Sequence, residues 1–205
     1  MVFVHFSLWL PLFFIWLLPF SETTYKSDHE SHNVVCLSEY EDALYKELNN
    51  YRIQNGLDPI TLSPSLTYVA QVHCRDLSEN FPFNDKDCNM HSWSDKGSWT
   101  PCCYTNNHEN RDCAINKPKE LTSYKSEGYE IAFFSTYNYP DAVIFAKDAI
   151  DMWSKSKGHN ETILNLGMWK KVTWKACGVG SYGDFTTIWF GTETDDDTTI
   201  VKICK

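Results

Sequence analysis

The chain has 205 residues, eight cysteines and a formal net charge of −9 at pH 7. That length supports one well-buried domain rather than two, and the acidic balance is repelled by phosphate backbones and anionic lipid surfaces, which speaks against a nucleic-acid partner. An even number of cysteines behind an apolar leader points to disulfides formed in an oxidising compartment, and no pair has the C-x-x-C spacing of a zinc knuckle.

Residues 1–20 carry no charged side chain and are mostly Phe, Leu, Trp, Val, Ile and Pro, followed by polar Ser21 to Thr24. They read as a secretory signal peptide, residues 1–21, cleaved near Ser21. A retained anchor is the alternative, because the n-region lacks Lys or Arg and Pro11 and Pro19 interrupt the run. No second run is long and apolar enough to cross a bilayer, so no membrane span is expected after signal removal. Residues 22–37 are read as a flexible lead.

Ser38-Glu39-Tyr40-Glu41 has the form of a capping box and predicts a helix start. Tyr40, Leu44, Leu48 and Tyr51 continue that helix on one face until Asn55-Gly56. A second helix begins with Ser63 as N-cap and Pro64 at the first helical position. Leu66, Val69, Ala70, His73 and Leu77 share its apolar face, which favours a core role for His73, with its nitrogens bonded to backbone, over a ligand role.

Residues 80–124 crowd Pro, Gly, Asn and Asp with four cysteines and bury no regular face, so an extended, disulfide-held loop is expected there. Val143, Ala146, Ile150 and Trp153 predict a third amphipathic helix beginning near Pro140-Asp141, with Gly158 as its C-cap. Alternation of Val172, Trp174, Ala176 and Gly178 with Lys171, Thr173, Lys175 and Cys177 predicts a strand with one mostly polar face. A turn over 181–184 and a second strand over 184–191 complete a hairpin. Residues 194–205 are read as an acidic tail, with Asp195, Asp196 and Asp197 solvated rather than holding calcium, since an EF-hand's alternating ligands and glycine are missing. Asn160-Glu161-Thr162 is a glycosylation sequon, which implies an exposed Asn160.

Eight cysteines allow 105 pairings, and sequence does not choose among them. The working arrangement has Cys88, Cys102, Cys103 and Cys113 stapling one loop region, Cys177 paired with Cys204, and Cys36 with Cys74.

Several of these stretches resemble the CAP superfamily, which includes cysteine-rich secretory proteins, antigen 5 and plant pathogenesis-related class 1. They are the W-x-x-S-x-G-H end of the third helix, GMWKKVTWKACGVG, residues 44–66, the NMHS segment and EGYEIA. The resemblance implies an α+β fold, a three-layer α-β-α sandwich with a central antiparallel sheet, over residues 38–193. It also implies a cavity with two histidines and two glutamates that binds a divalent metal in several members. His91 falls on the first histidine, Met168 stands where the second belongs, and Ser156 falls on the second glutamate. Aligned on Gly128 and Ala132, Tyr129 takes the first glutamate's place and Glu130 its neighbour's, so Glu130 is carried as a candidate and Glu127 as a weaker one.

His91 and Glu130 are thus the candidate zinc ligands, in a site that a thioether at Met168 should damage or abolish. No cofactor is required by this reading, with zinc the one to test. His159 offers another imidazole near the cavity, or else a loop histidine at a helix C-terminus. Ser156 with His159 or His91 does not form the pattern of a nucleophile elbow, and an orienting third group is missing. The function this resemblance favours is that of a secreted, non-enzymatic binding protein for a sterol, another lipid or an extracellular receptor in defence, venom or reproduction. The alternatives are zinc-dependent binding or hydrolysis at a degenerate cavity, and a structural protein of an extracellular matrix.

Overall fold

Ser38 and Glu41 satisfy each other's backbone amides: the Glu41 N–H donates to Ser38 Oγ at 3.2 Å, and the Ser38 N–H donates to Glu41 Oε2 at 2.7 Å. In the computed structural model, which describes residues 34–84 and 87–204, this capping box starts helix α1, Glu39–Gln54. Gly56, at φ +77°, turns the chain in the left-handed region that suits glycine. Helix α2, Pro64–Asn80, begins as its sequence predicts, with Ser63 Oγ accepting from the Leu66 N–H at 3.0 Å. The signal-peptide reading of residues 1–21 lies outside the described residues.

The chain continues through short helices α3, Arg111–Ile115, and α4, Lys117–Leu121, to strand β3, Gly128–Phe134. Numbering the remaining strands in chain order, β1 is Val34–Leu37 and β2 is Thr61–Leu62. After β3 come α5, Ala142–Lys155, and α6, Lys157–Ile163, then β4, Ala176–Tyr182, β5, Phe185–Gly191, and β6, Ile200–Ile203. The main sheet runs β2-β4-β5-β3. Its three long strands are antiparallel as expected, whereas the short β2 joins parallel to β4.

Helices cover both faces of this sheet, giving the α-β-α sandwich. On one side Leu44, Leu48, Phe145, Ala149 and Trp153 pack on Ile131, Val179, Ile188 and Phe190. On the other, Leu66, Val69 and Ala70 meet Ala176 and Trp189. Gly178 and Gly180 let α2 lie directly against β4, because a Cβ at either would collide with the helix backbone at Leu66-Thr67 or Ala70.

Double coverage explains one departure from the sequence reading. Cys177, expected on a polar face, is fully buried against the α1–α5 layer, and the strand begins at Ala176 rather than near Lys171. Trp174 precedes it, buried, with its indole N–H donating to the Thr162 carbonyl at 2.8 Å. In α5 the inward stripe is Phe145, Ala146, Ala149, Ile150 and Trp153, while Val143, expected inside, is 56% exposed. Gly158 is no C-cap: α5 ends at Ser156, and Gly158 lies inside α6.

The described end of the lead, residues 34–37, and the tail are also more ordered than their polarity predicts. β1 and β6 form a separate two-stranded parallel sheet, and Cys36 is bonded to Cys204 across it. That bond replaces the expected Cys36–Cys74 and Cys177–Cys204 pairs; Cys74 and Cys177 are buried thiols. Asp195 is neither solvated nor a free calcium ligand. Its carboxylate accepts from Ser63 Oγ at 2.5 Å, Ser65 N–H at 2.9 Å and Ser65 Oγ at 3.0 Å, at the positive end of the α2 dipole.

Candidate functional site

The loop between α2 and β3 is held by more than cross-links. One disulfide, Cys88–Cys103, lies inside the cysteine group expected to staple it. Trp93 and Cys102 exchange backbone hydrogen bonds at 2.8 and 3.0 Å, and Trp93 is buried with its ring 4.1 Å from that of His73 and nearly parallel to it. Lys117 is also fully buried: its ammonium donates to Glu120 Oε2 at 2.5 Å and to the Thr100 carbonyl, and lies 5.5 Å from the Trp93 ring. A buried charge is tolerated only with such partners.

This loop brings His91 to Glu130. Strand alternation along β3 places Ile131 among the α1–α5 core and Glu130 toward α2, where His73 waits on the inward face. Glu130 Oε1 is 2.6 Å from His73 Nδ1 and Oε2 is 2.8 Å from His91 Nδ1. His73 Nε2 is 3.0 Å from the Ser92 carbonyl. With Glu130 ionised, both His73 nitrogens face acceptors, so both carry protons and His73 is a buried cation paired with a carboxylate. Burial opposes these charges, but the opposite charge and the hydrogen bonds outweigh it. Glu130 is held below its ordinary value and His73 above its own.

A cavity of about 320 Å³ opens beside this triad, with His91, Tyr104, Arg111, Tyr129, Met168 and Trp169 among its walls. Trp169 packs edge-on to Tyr129 at 4.8 Å between ring centres, and the Arg111 guanidinium lies 5.8 Å from the Tyr129 ring. Met168, on the 3₁₀ turn Gly167–Trp169, is 76% exposed at the rim. His91, Glu130 and Met168 therefore do meet at one cavity. His159, in α6 rather than in a loop, is held below the usual histidine range by burial and then by the charge of nearby His91. Ser156 joins α5 to α6 and is not part of the cavity wall, which removes its pairing with His91 as a nucleophile. Glu127 accepts from the Tyr129 hydroxyl at 3.0 Å.

Asn160 is half-buried rather than exposed, and its side-chain oxygen accepts from the Tyr51 hydroxyl at 2.8 Å. Helical spacing places His73 in the core without revealing it as a partner of Glu130, although an inward histidine and an inward carboxylate together carry that signal. Tyr104 and Arg111 give no signal, since the loop that delivers them has no periodicity.

Among the described residues no group of three His, Cys, Asp or Glu side chains is placed to hold a metal ion, and both Glu130 oxygens are already engaged by histidines.

Residues 45–192 match the cysteine-rich secretory protein family, CAP. No curated protein matches the chain. Among solved structures, an extracellular protein containing an SCP domain from Bacillus anthracis superposes with a TM-score of 0.50 at 19% identity, covering 75% of this chain and 40% of its own. An outer surface protein of Borrelia burgdorferi gives a TM-score of 0.50 at 14% identity, covering 78% of this chain and 96% of its own. The chain thus spans well under half of the Bacillus protein, and at these identities the likeness is one of fold. With the family match running from within α1 through α2, the cavity and the β4–β5 hairpin, the chain belongs to the cysteine-rich secretory protein family.

Proposed function

We propose that the chain is a secreted, non-enzymatic binding protein that takes a small, largely apolar ligand such as a sterol or fatty acid into the cavity beside His91. The observation that carries this reading is the state of Glu130. Each of its oxygens is held by a histidine and the side chain is 5% exposed, so it is spent on structure rather than offered as a base or a metal ligand. What remains on the cavity wall is mainly aromatic and aliphatic surface, including Tyr104, Tyr129, Ile115 and Trp169, with His91 and Arg111 to orient a polar end.

The test is titration of the secreted chain with a fluorescent sterol and a fluorescent fatty acid, beside zinc calorimetry on the same preparation. Saturable binding of either probe, weakened roughly tenfold (about 1.4 kcal/mol) by Met168→Asp at the rim, is expected. Micromolar zinc binding abolished by both His91→Ala and Glu130→Ala, with neither probe bound, overturns the reading in favour of a metal-dependent site.

A further inference from the structure

Two half-buried thiols remain in the loop after Cys88 and Cys103 have paired. Cys113, in α3, places its sulfur 3.8 Å from the Thr100 carbonyl oxygen and 3.9 Å from that of Pro101, the two residues leading into Cys102. The Cys102 thiol is pushed up to about 12 by burial and then by the Cys113 sulfur in hydrogen-bond contact with it. Other partners are ruled out by position. Cys74 is fully buried with its sulfur 3.6 Å from Thr187 Oγ1, and Cys177 is fully buried in the layer on the opposite face of the sheet.

We propose that Cys102 and Cys113 form a third disulfide, and that this bond clamps the α3 wall of the cavity to the Trp93–Cys102 bridge. The even cysteine count then resolves into three disulfides and two buried thiols rather than four disulfides. The bond forms by thiol–disulfide exchange with a disulfide donor of the oxidising compartment. One thiolate attacks the donor and releases one of its thiols; the second thiolate then attacks the mixed disulfide and releases the other. Two protons leave the cysteines, and the two electrons end on the donor, which becomes two thiols.

Placement gives the bond a consequence for the cavity. Arg111 and Ala114, on either side of Cys113, line the cavity wall. Cys102 holds the backbone of Trp93, which stacks on His73. Oxidation therefore joins the wall covalently to the buried network that positions His91, while Cys88–Cys103 ties only the start of the loop to the same point.

The experiment is alkylation of the secreted full chain under denaturing, non-reducing conditions, followed by peptide mapping with fragmentation that separates Cys102 from Cys103. A Cys102–Cys113 linkage with Cys74 and Cys177 alkylated is expected. Alkylated Cys102 and Cys113, or a Cys102–Cys88 linkage, overturns the proposal. The clamp is read separately by hydrogen exchange on Cys113→Ser. Exchange across residues 111–115 should rise roughly tenfold, as local opening does when a cross-link is lost, and unchanged exchange overturns the clamp. If that variant is not secreted, the double variant Cys102→Ala/Cys113→Ala, which removes the same bond and leaves no stray thiol, supplies the comparison.

Discussion

Against one face of the sheet, α1 and α5 bury Leu44, Leu48, Phe145, Ala149 and Trp153 on strand residues that are themselves apolar. Against the other, α2 and the long loop bury His73, Asp76, Ser92 and Lys117 beside Trp93 and Trp189. The first face is held by contact area, in which each side chain contributes on its own and neighbours adapt when one is trimmed. The second is held by partners that must all be present, because removing one leaves another charge or donor buried and unpaired. Asp76 shows the same logic at the network's edge, accepting from the Ser94 N–H and the Asn80 amide at 2.8 Å each. The cavity opens at the β3 edge, where Tyr129 and Trp169 come from the first face but Glu130, His91 and Trp189 from the second, so the region of lowest tolerance adjoins the region of candidate function.

Substitutions separate the two modes. Trp153→Ala, on the apolar face, removes a buried ring and the hydrogen bond from its indole to the Ala132 carbonyl, and should cost about 4 kcal/mol in chemical denaturation. Glu130→Ala should cost about 3 kcal/mol, since it strands the His73 cation. The sharper measurement is the cycle with His73→Phe. The double variant should be less destabilised than the two single losses added together; simple additivity would show that the polar network is no network. Lys117→Met should follow at about 2 kcal/mol, because the Thr100 carbonyl loses its donor while Glu120, partly exposed, recovers water.

The pH dependence tests the charge state of the same triad. His73 is raised above 6.5: burial disfavours its charge, and Glu130 outweighs burial. Its contribution is fully present below pH 6.5 and is lost as pH rises through the folded value. Glu130 is lowered below 4.5 because the two histidines outweigh its burial, so its contribution is present above 4.5 and lost as pH falls through the folded value. Thermal melts should place the triad's largest contribution between pH 4.5 and 6.5, and His73→Phe should lose the decline on the alkaline side. Nitrogen NMR of His73 at pH 6 should show both ring nitrogens protonated. The smallest effect belongs to exposed Val143, where Val143→Ser should change stability by less than about 0.5 kcal/mol.

Local chemistry determined a good part of this molecule. The Ser38–Glu41 capping box, the Ser63-Pro64 start, the inward faces of α1 and α2 and the β4–β5 hairpin follow from interactions within a few residues, which is why their spacing predicts them. The family resemblance rests on those same stretches, and it carries the sandwich with it. His91 and Glu130 were legible as site residues, but their relation was not, since 39 residues of chain separate them and only strand alternation with loop closure brings them together. The tertiary structure alone decided the Cys36–Cys204 pair, the capping of α2 by Asp195 and the enlistment of His73, for in each the partners are far apart in the chain. It also overturned the polar face of β4: where the strand is covered on both sides, from Ala176 to Gly180, both faces are buried, so its alternation reports neighbouring layers that no local pattern encodes.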